Sequence, residues 1–159
     1  MISPFVLSAC DKKLPLTTTS SPTPTTTQVN ADTKASFLIF TEGTEREFTT
    51  KKYHNVSPDV YIEASNPNHV VVKKPNTTWG EFFATLPMYV DYGCLVTGTG
   101  QNFCESTTKS LKFYVNEEKV DNFLQREIRN GDNALISFGP INDPAIEGQL
   151  KQILKLKLR

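Results

Sequence analysis

The sequence predicts a small α+β domain carried on an unfolded tether. Three observations support this. Every residue from Thr17 to Thr27 is Thr, Ser or Pro, a composition that buries too little apolar surface to offset the entropy lost on ordering. Downstream, short apolar or alternating runs separated by turn residues read as strands. Two amphipathic stretches, TTWGEFFATLP and DPAIEGQLKQIL, read as helices.

The 159 residues suffice for one domain with its own core. Lys+Arg and Asp+Glu balance at 17 each, so no global charge points to nucleic acid. No run approaches the roughly 18 apolar residues of a membrane span, so attachment to a membrane has to be covalent. The chain divides into the end of a signal peptide (1–9), a Thr/Ser/Pro-rich tether (10–35), a folded domain (36–140) and a C-terminal helical segment (141–159).

Within the domain, Ser36–Phe40 is an apolar strand. Glu42-Gly43-Thr44 turns it into a polar partner that ends near Phe48-Thr49. Val60–Glu63 and Val70–Lys73 are two further strands, with Asn66-Pro67-Asn68 expected as the turn between them. In the first helix Thr78 and Glu81 form a capping box. Trp79, Phe82, Phe83 and Leu86 share one face, and Pro87 ends the segment. Gly80 lets the backbone approach a neighbour closely.

Cys94 and Cys104 bracket LVTGTGQNF. Folding this stretch about Thr99 sets the two cysteines opposite each other on a hairpin, at a spacing that suits a disulfide. Leu111, Phe113 and Val115 alternate with Lys112, Tyr114 and Asn116 as a half-buried strand. Arg129-Asn130-Gly131-Asp132 is a tight turn, and Ala134–Phe138 is a core strand. At the end, Asp143 is the expected cap and Pro144 fits the first turn. Ile146, Leu150, Ile153 and Leu154 form the expected apolar stripe, and Lys151, Lys155, Lys157 and Arg159 crowd the last turns.

Leu7-Ser8-Ala9-Cys10 resembles a lipobox, the processing site of bacterial-type lipoproteins. That resemblance implies cleavage before Cys10 and a diacylglyceryl group on its sulfur. Two acyl chains hold a protein stably on a bilayer. A tether over residues 11–35 would then let the domain stand up to about 75 Å away, at about 3.1 Å per residue. Met1–Val6 lacks the charge and length of a signal peptide, which places the true start upstream. Export also agrees with a disulfide, which needs an oxidising compartment. The expected localisation is therefore the extracytoplasmic face of a cell membrane.

No nucleophile elbow, zincin, Walker or dinucleotide-binding signature is present, and the glycines of Val96-Thr97-Gly98-Thr99-Gly100-Gln101 fit a hairpin turn. Neither catalysis nor a cofactor is assigned. His54 and His69 with Asp59 or Glu63 are the only weak candidates for a metal. Asn76-Thr77-Thr78 and Asn55-Val56-Ser57 match glycosylation sequons, the second weakened by Pro58.

Thr78-Trp79-Gly80-Glu81-Phe82-Phe83, Leu111–Asn116 and Asn130–Gly139 together resemble a group of uncharacterised exported prokaryotic proteins. Their pattern runs roughly T-x-G-x-F-F, L-x-F-x-V-N-G and D-G-D-x-I-L-I-S-Y-G. The stretch from about 55 to 155 is more distantly similar to the β-grasp domain at the C-terminus of transcobalamin-type proteins. The resemblance implies a β-grasp-like mixed sheet with one packed helix, and it implies no reaction. Two departures matter. The family's V-N-G is Val115-Asn116-Glu117 here, which alters the expected tight turn. Members carry paired histidines before the helix, whereas this chain has only His54 and His69, far apart. The expected function is a lipid-anchored binding or interaction module, with an envelope protein or small ligand as partner. The alternative is a small-ligand or metal carrier of the envelope.

Overall fold

The structure is a computed structural model and describes residues 33–156. Cys10, nearly all of the tether, Lys157 and Arg159 lie outside the described residues. In chain order the strands are β1 (Thr33–Thr41), β2 (Thr44–Glu45), β3 (Val60–Glu63), β4 (Asn66–Val72), β5 (Tyr89–Val90), β6 (Cys94–Val96), β7 (Asn102–Cys104), β8 (Lys109–Val115), β9 (Glu118–Lys119) and β10 (Asn133–Pro140). Helix α1 (Trp79–Thr85) lies between β4 and β5, and α2 (Ile146–Ile153) follows β10. Two 3₁₀ turns, Lys51–Tyr53 and Phe123–Gln125, complete the elements.

The fold is mixed α+β. Its main sheet runs β3-β4-β1-β10-β8-β9, with β2 folded back on β1. At its centre β1 and β10 pair in parallel, Phe37 beside Ala134 and Ile39 beside Ile136. The flanking pairs, β1 with β4 and β10 with β8, are antiparallel. A second sheet, β5-β6-β7, lies apart.

The main sheet is covered unequally. Ala35, Phe37, Ile39, Ile62, Val70, Phe113 and Ile136 share one core with the aromatic side of α1. Phe37 meets Phe48, Phe82 and Phe83 edge-on, at centroid distances of 4.9, 5.3 and 6.0 Å. Trp79 stacks on Phe123, and Phe123 on Phe113, at 5.5 and 5.0 Å. The other face is small: Leu38, Phe40 and Leu135 pack against Ile153 of α2.

Helix α1 starts as expected. Thr78 accepts from the Glu81 N–H through its side chain, and Glu81 accepts from the Thr78 N–H. That backbone hydrogen bond, with Lys74 beside it, holds the Glu81 carboxyl below its usual range. The Cys94–Cys104 hairpin and the turn with Gly131 at φ +84° also form as expected.

Several expectations are corrected. Strand β1 begins at Thr33, inside the segment assigned to the tether, because Thr33, Lys34 and Ala35 pair with Val72, Val71 and Val70. Asn66-Pro67-Asn68 is not a turn but the start of β4; Ala64 and Ser65 make the turn. Proline is tolerated there because β1 pairs with β4 only from His69 onward, and the β3–β4 register shifts between Ile62 and Glu63. The polar partner of β1 is only two residues long; beyond it the chain leaves the sheet and buries Phe48.

Strand β8 is buried further than alternation implies. Lys112 is only 4% exposed, and its Nζ donates to the Ser110 and Gly139 carbonyls, both at 3.2 Å. The tight turn after Val115 survives, with Asn116 and Glu117 at φ +51° and +70°. Asn116 is fixed there by its amide, which donates to Asp132 and accepts from the Asn133 N–H. In α2 Leu154 is exposed, and Gln149 takes the buried place expected of it. The buried face centres between Gln149 and Leu150, which leaves Leu154 on the flank. Asp143 closes the turn ahead of α2 by accepting from the Ala145 N–H at 2.9 Å, and Ala145 stands at the cap position.

A Cβ at Gly80 would lie 2.7 Å from the Leu124 carbonyl oxygen. Gly80→Ala, which in an open helix gains about 1 kcal/mol, is therefore expected to destabilise this domain by about 1–3 kcal/mol. Urea denaturation checks this; a gain in stability would show that the α1 approach to Leu124 is loose.

Candidate functional site

The second sheet is too small to make a core of its own, and three features hold it. At its base Cys94 and Cys104 are directly opposed and joined by a disulfide, with Cα atoms 4.1 Å apart. Before Cys94, Asp91 organises the chain. Its Oδ1 accepts from the Gly93 N–H at 2.8 Å and from the Cys94 N–H, and its Oδ2 from the Tyr89 hydroxyl at 2.7 Å. The Tyr89 hydrogen bond, then the two amides, keep the Asp91 carboxyl below the usual range. Leu95, fully buried, anchors the sheet in the main core.

The tip is clasped from the other side. Lys52 Nζ donates to the Gly98 carbonyl at 2.9 Å and lies 5.0 Å over the Tyr53 ring. Gly98 is pressed against Tyr53: a Cβ there would stand 2.4 Å from the tyrosine hydroxyl and 2.8 Å from the Pro87 carbonyl oxygen. Arg46 grips the far strand. Its guanidinium donates to Thr41 Oγ1 and, at 3.1 Å, to Gln101 Oε1, and it lies 5.0 Å from the Phe103 ring centroid.

Between this sheet and the end of β1 lies a cleft of about 160 Å³. Ile39, Phe48, Met88 and Leu95 make it apolar, with Tyr53 alongside. Glu45, Arg46 and Glu47 lie on one side, and the hairpin tip Thr97-Gly98-Thr99 on the other. Glu45 accepts a hydrogen bond from the Gln152 side chain of α2.

Of the residues singled out from sequence, Cys94 and Cys104 meet. His54 is half-buried, and its Nε2 lies 2.7 Å from the Phe48 carbonyl oxygen. There it steadies the segment that supplies the cleft floor. His69 pairs opposite Ser36 on β4, and Glu63 ends β3. Among the described residues no group of three His, Cys, Asp or Glu side chains is placed to hold a metal ion. Asn76 is exposed at φ +60° in the loop before α1, and Cys10 lies outside the described residues. No described helix is long and apolar enough to cross a membrane. Sequence reasoning missed Glu45, Arg46, Glu47, Lys52 and Tyr53, since this segment carries no strand or helix period.

No family model matches this chain, and no curated protein or solved structure does so either.

The loop closed by the disulfide is short, and the chain-entropy relation assigns it about 2.5–3 kcal/mol. Replacing Cys94 and Cys104 together by serine is expected to lower unfolding stability by that amount. Guanidinium titration of oxidised wild type against the double variant measures it. A loss below about 1 kcal/mol would mean that the Lys52 and Arg46 contacts alone hold the hairpin.

Proposed function

We propose that this chain is a non-catalytic binding module of the cell envelope, tethered to the extracytoplasmic face of a membrane by lipid on Cys10. The observation that carries the reading is the cleft: an apolar floor roofed by a hairpin that is covalently closed at its base and clasped at its tip. Rigid walls suit binding, because little order remains to be imposed when a ligand enters. A volume of about 160 Å³ matches a ligand near benzene in size. The disulfide supports an oxidising location, and the lipobox-like Leu7–Cys10 supports the anchor. The parallel β1–β10 centre, antiparallel β4 and β8 beside it, and α1 packed across one face favour a β-grasp-like reading of the fold.

Two measurements test the two parts. In a titration of the ¹⁵N-labelled chain with small aromatic compounds, amide shifts are expected at Phe48 and Thr97–Thr99, and Met88→Trp, which fills the cleft, is expected to abolish them. Shifts confined to other regions, or unchanged in Met88→Trp, would overturn the site. For the anchor, intact mass of the protein expressed in its own host from native upstream DNA is expected to show a chain starting at Cys10 with added lipid mass. An unprocessed lipid-free chain would refute it.

A further inference from the structure

Resting on that reading of the cleft, we infer that its ligand is a small uncharged molecule: an apolar body bearing one oxygen that hydrogen-bonds the Tyr53 hydroxyl. Tyr53 lines the cleft and is only 8% exposed. Its ring is fixed edge-to-face against Phe48, with centroids 5.0 Å apart. Its hydroxyl makes no hydrogen bond among the described residues. Nor is that hydroxyl sealed from solvent in the way the Trp79 Nε1 is, and the space it borders is the cleft. The Pro87 carbonyl oxygen stands on the same side of Gly98: a Cβ at Gly98 would lie 2.4 Å from the Tyr53 hydroxyl and 2.8 Å from that carbonyl. No hydrogen bond joins the two oxygens, so the hydroxyl keeps its proton for an incoming group. A largely buried hydroxyl without a partner carries a desolvation cost that a ligand oxygen would remove.

Charge does not select the ligand. Glu45 and Glu47 at the rim are balanced by Arg46 between them and by Lys52 at the hairpin tip. Both cations are already engaged. Arg46 is turned to Thr41, Gln101 and the Phe103 ring, and Lys52 to the Gly98 carbonyl and the Tyr53 ring. An ionised group carried in among Ile39, Phe48 and Leu95 would lose hydration and find no unengaged counter-charge beside Tyr53. A neutral oxygen loses less hydration there and meets a hydroxyl ready to bond it. The group that discriminates between ligands is therefore the Tyr53 hydroxyl, and the apolar lining sets the size of the body that carries the oxygen.

The test is a pair of probes of one shape, phenol and toluene, titrated into the ¹⁵N-labelled chain of residues 1–159 and into its Tyr53→Phe variant, with the cleft amides as the readout. Tyr53→Phe keeps the ring and removes only the hydroxyl. It is expected to weaken phenol about fivefold, the worth of one neutral hydrogen bond, and to leave toluene within about twofold of wild type on the same scale. Because the hydroxyl has no partner within the protein, the urea midpoint of Tyr53→Phe is expected to equal or exceed that of wild type. An equal change for the two probes, or no change for either, would overturn the inference and leave the cleft as a purely apolar site. A marked drop in the urea midpoint, or failure of the variant to fold, would show that the hydroxyl is bonded within the protein and would overturn it as well. Failure of both probes to shift the cleft amides of wild type would overturn the binding reading beneath it.

Discussion

The parallel pairing of β1 with β10 is the constraint from which the rest follows. Parallel neighbours cannot be joined by a tight turn. Here the whole of the chain between Thr41 and Asn133 is the connection. Both strands are covered on both faces, which is why each reads as an apolar run rather than an alternation. The face presenting Phe37 and Ile39 needs a large cover, and the aromatic side of α1 supplies it. The face presenting Leu38, Phe40 and Leu135 needs one as well, and α2 returns across the sheet to provide it. The cores are unequal because Trp79, Phe82, Phe83, Phe113 and Phe123 all lie on the first side, while Tyr114 packs on the second.

The cleft is a by-product of how that first cover ends. Helix α1 is seven residues long and roofs only part of the sheet. Past Ile39 the roof is the β5-β6-β7 sheet, whose strands of two or three residues cannot be stable alone. Leu95 ties it to the main core, and cross-links add to that hold. One is covalent, Cys94–Cys104; the others are the Lys52 clasp on Gly98 and the Arg46 grip on Gln101 and Phe103. A roof pinned at Leu95 and clasped at its ends leaves room beside that anchor, lined by Leu95 from the roof and by Ile39 and Phe48 from the floor.

Local chemistry made much of this legible in the sequence. Thr78 and Glu81 announce α1 because a capping box is satisfied within one turn. Counting outward from Thr99 sets Cys94 against Cys104 because hairpin register follows loop length. Reading failed where a local preference lost to a distant partner. Asn66-Pro67-Asn68 has turn chemistry, yet it continues β4 because β1 does not need its N–H groups and a register shift absorbs the proline. Ala64-Ser65 has weak turn chemistry and makes the turn. Leu154 and Gln149 exchanged places because an apolar stripe on a short helix does not fix its rotation to within one residue. The cleft rim was illegible for a different reason: Arg46 meets Gln101 and Lys52 meets Gly98 only through the folded chain, and nothing periodic marks residues 45–53.

The unequal cores also bear on the cleft. The α2 side of the sheet has few apolar contacts and many polar groups. Ser36 Oγ, Ser137 Oγ and both amide atoms of Gln149 are buried without hydrogen-bond partners among the described residues. On the same face Lys112 is buried, and burial lowers its pKa while Asp143 acts in the opposite direction. Its folded value thus lies below its unfolded one, so the cost of burying the ammonium is full below the folded value and fades as pH rises through it towards the ordinary lysine value near 10.5. Each of these groups weakens the seat of α2, whereas on the α1 side Trp79 Nε1 is the one buried side-chain donor without a partner among the described residues. Local opening follows low density of buried apolar contacts, so α2, seated on the smaller core, is held less firmly than α1. Gln152 of that helix donates to Glu45 on the cleft rim. The position of one rim carboxylate is therefore set by the weaker of the two cores, and its freedom to turn towards the cleft rises and falls with the docking of α2.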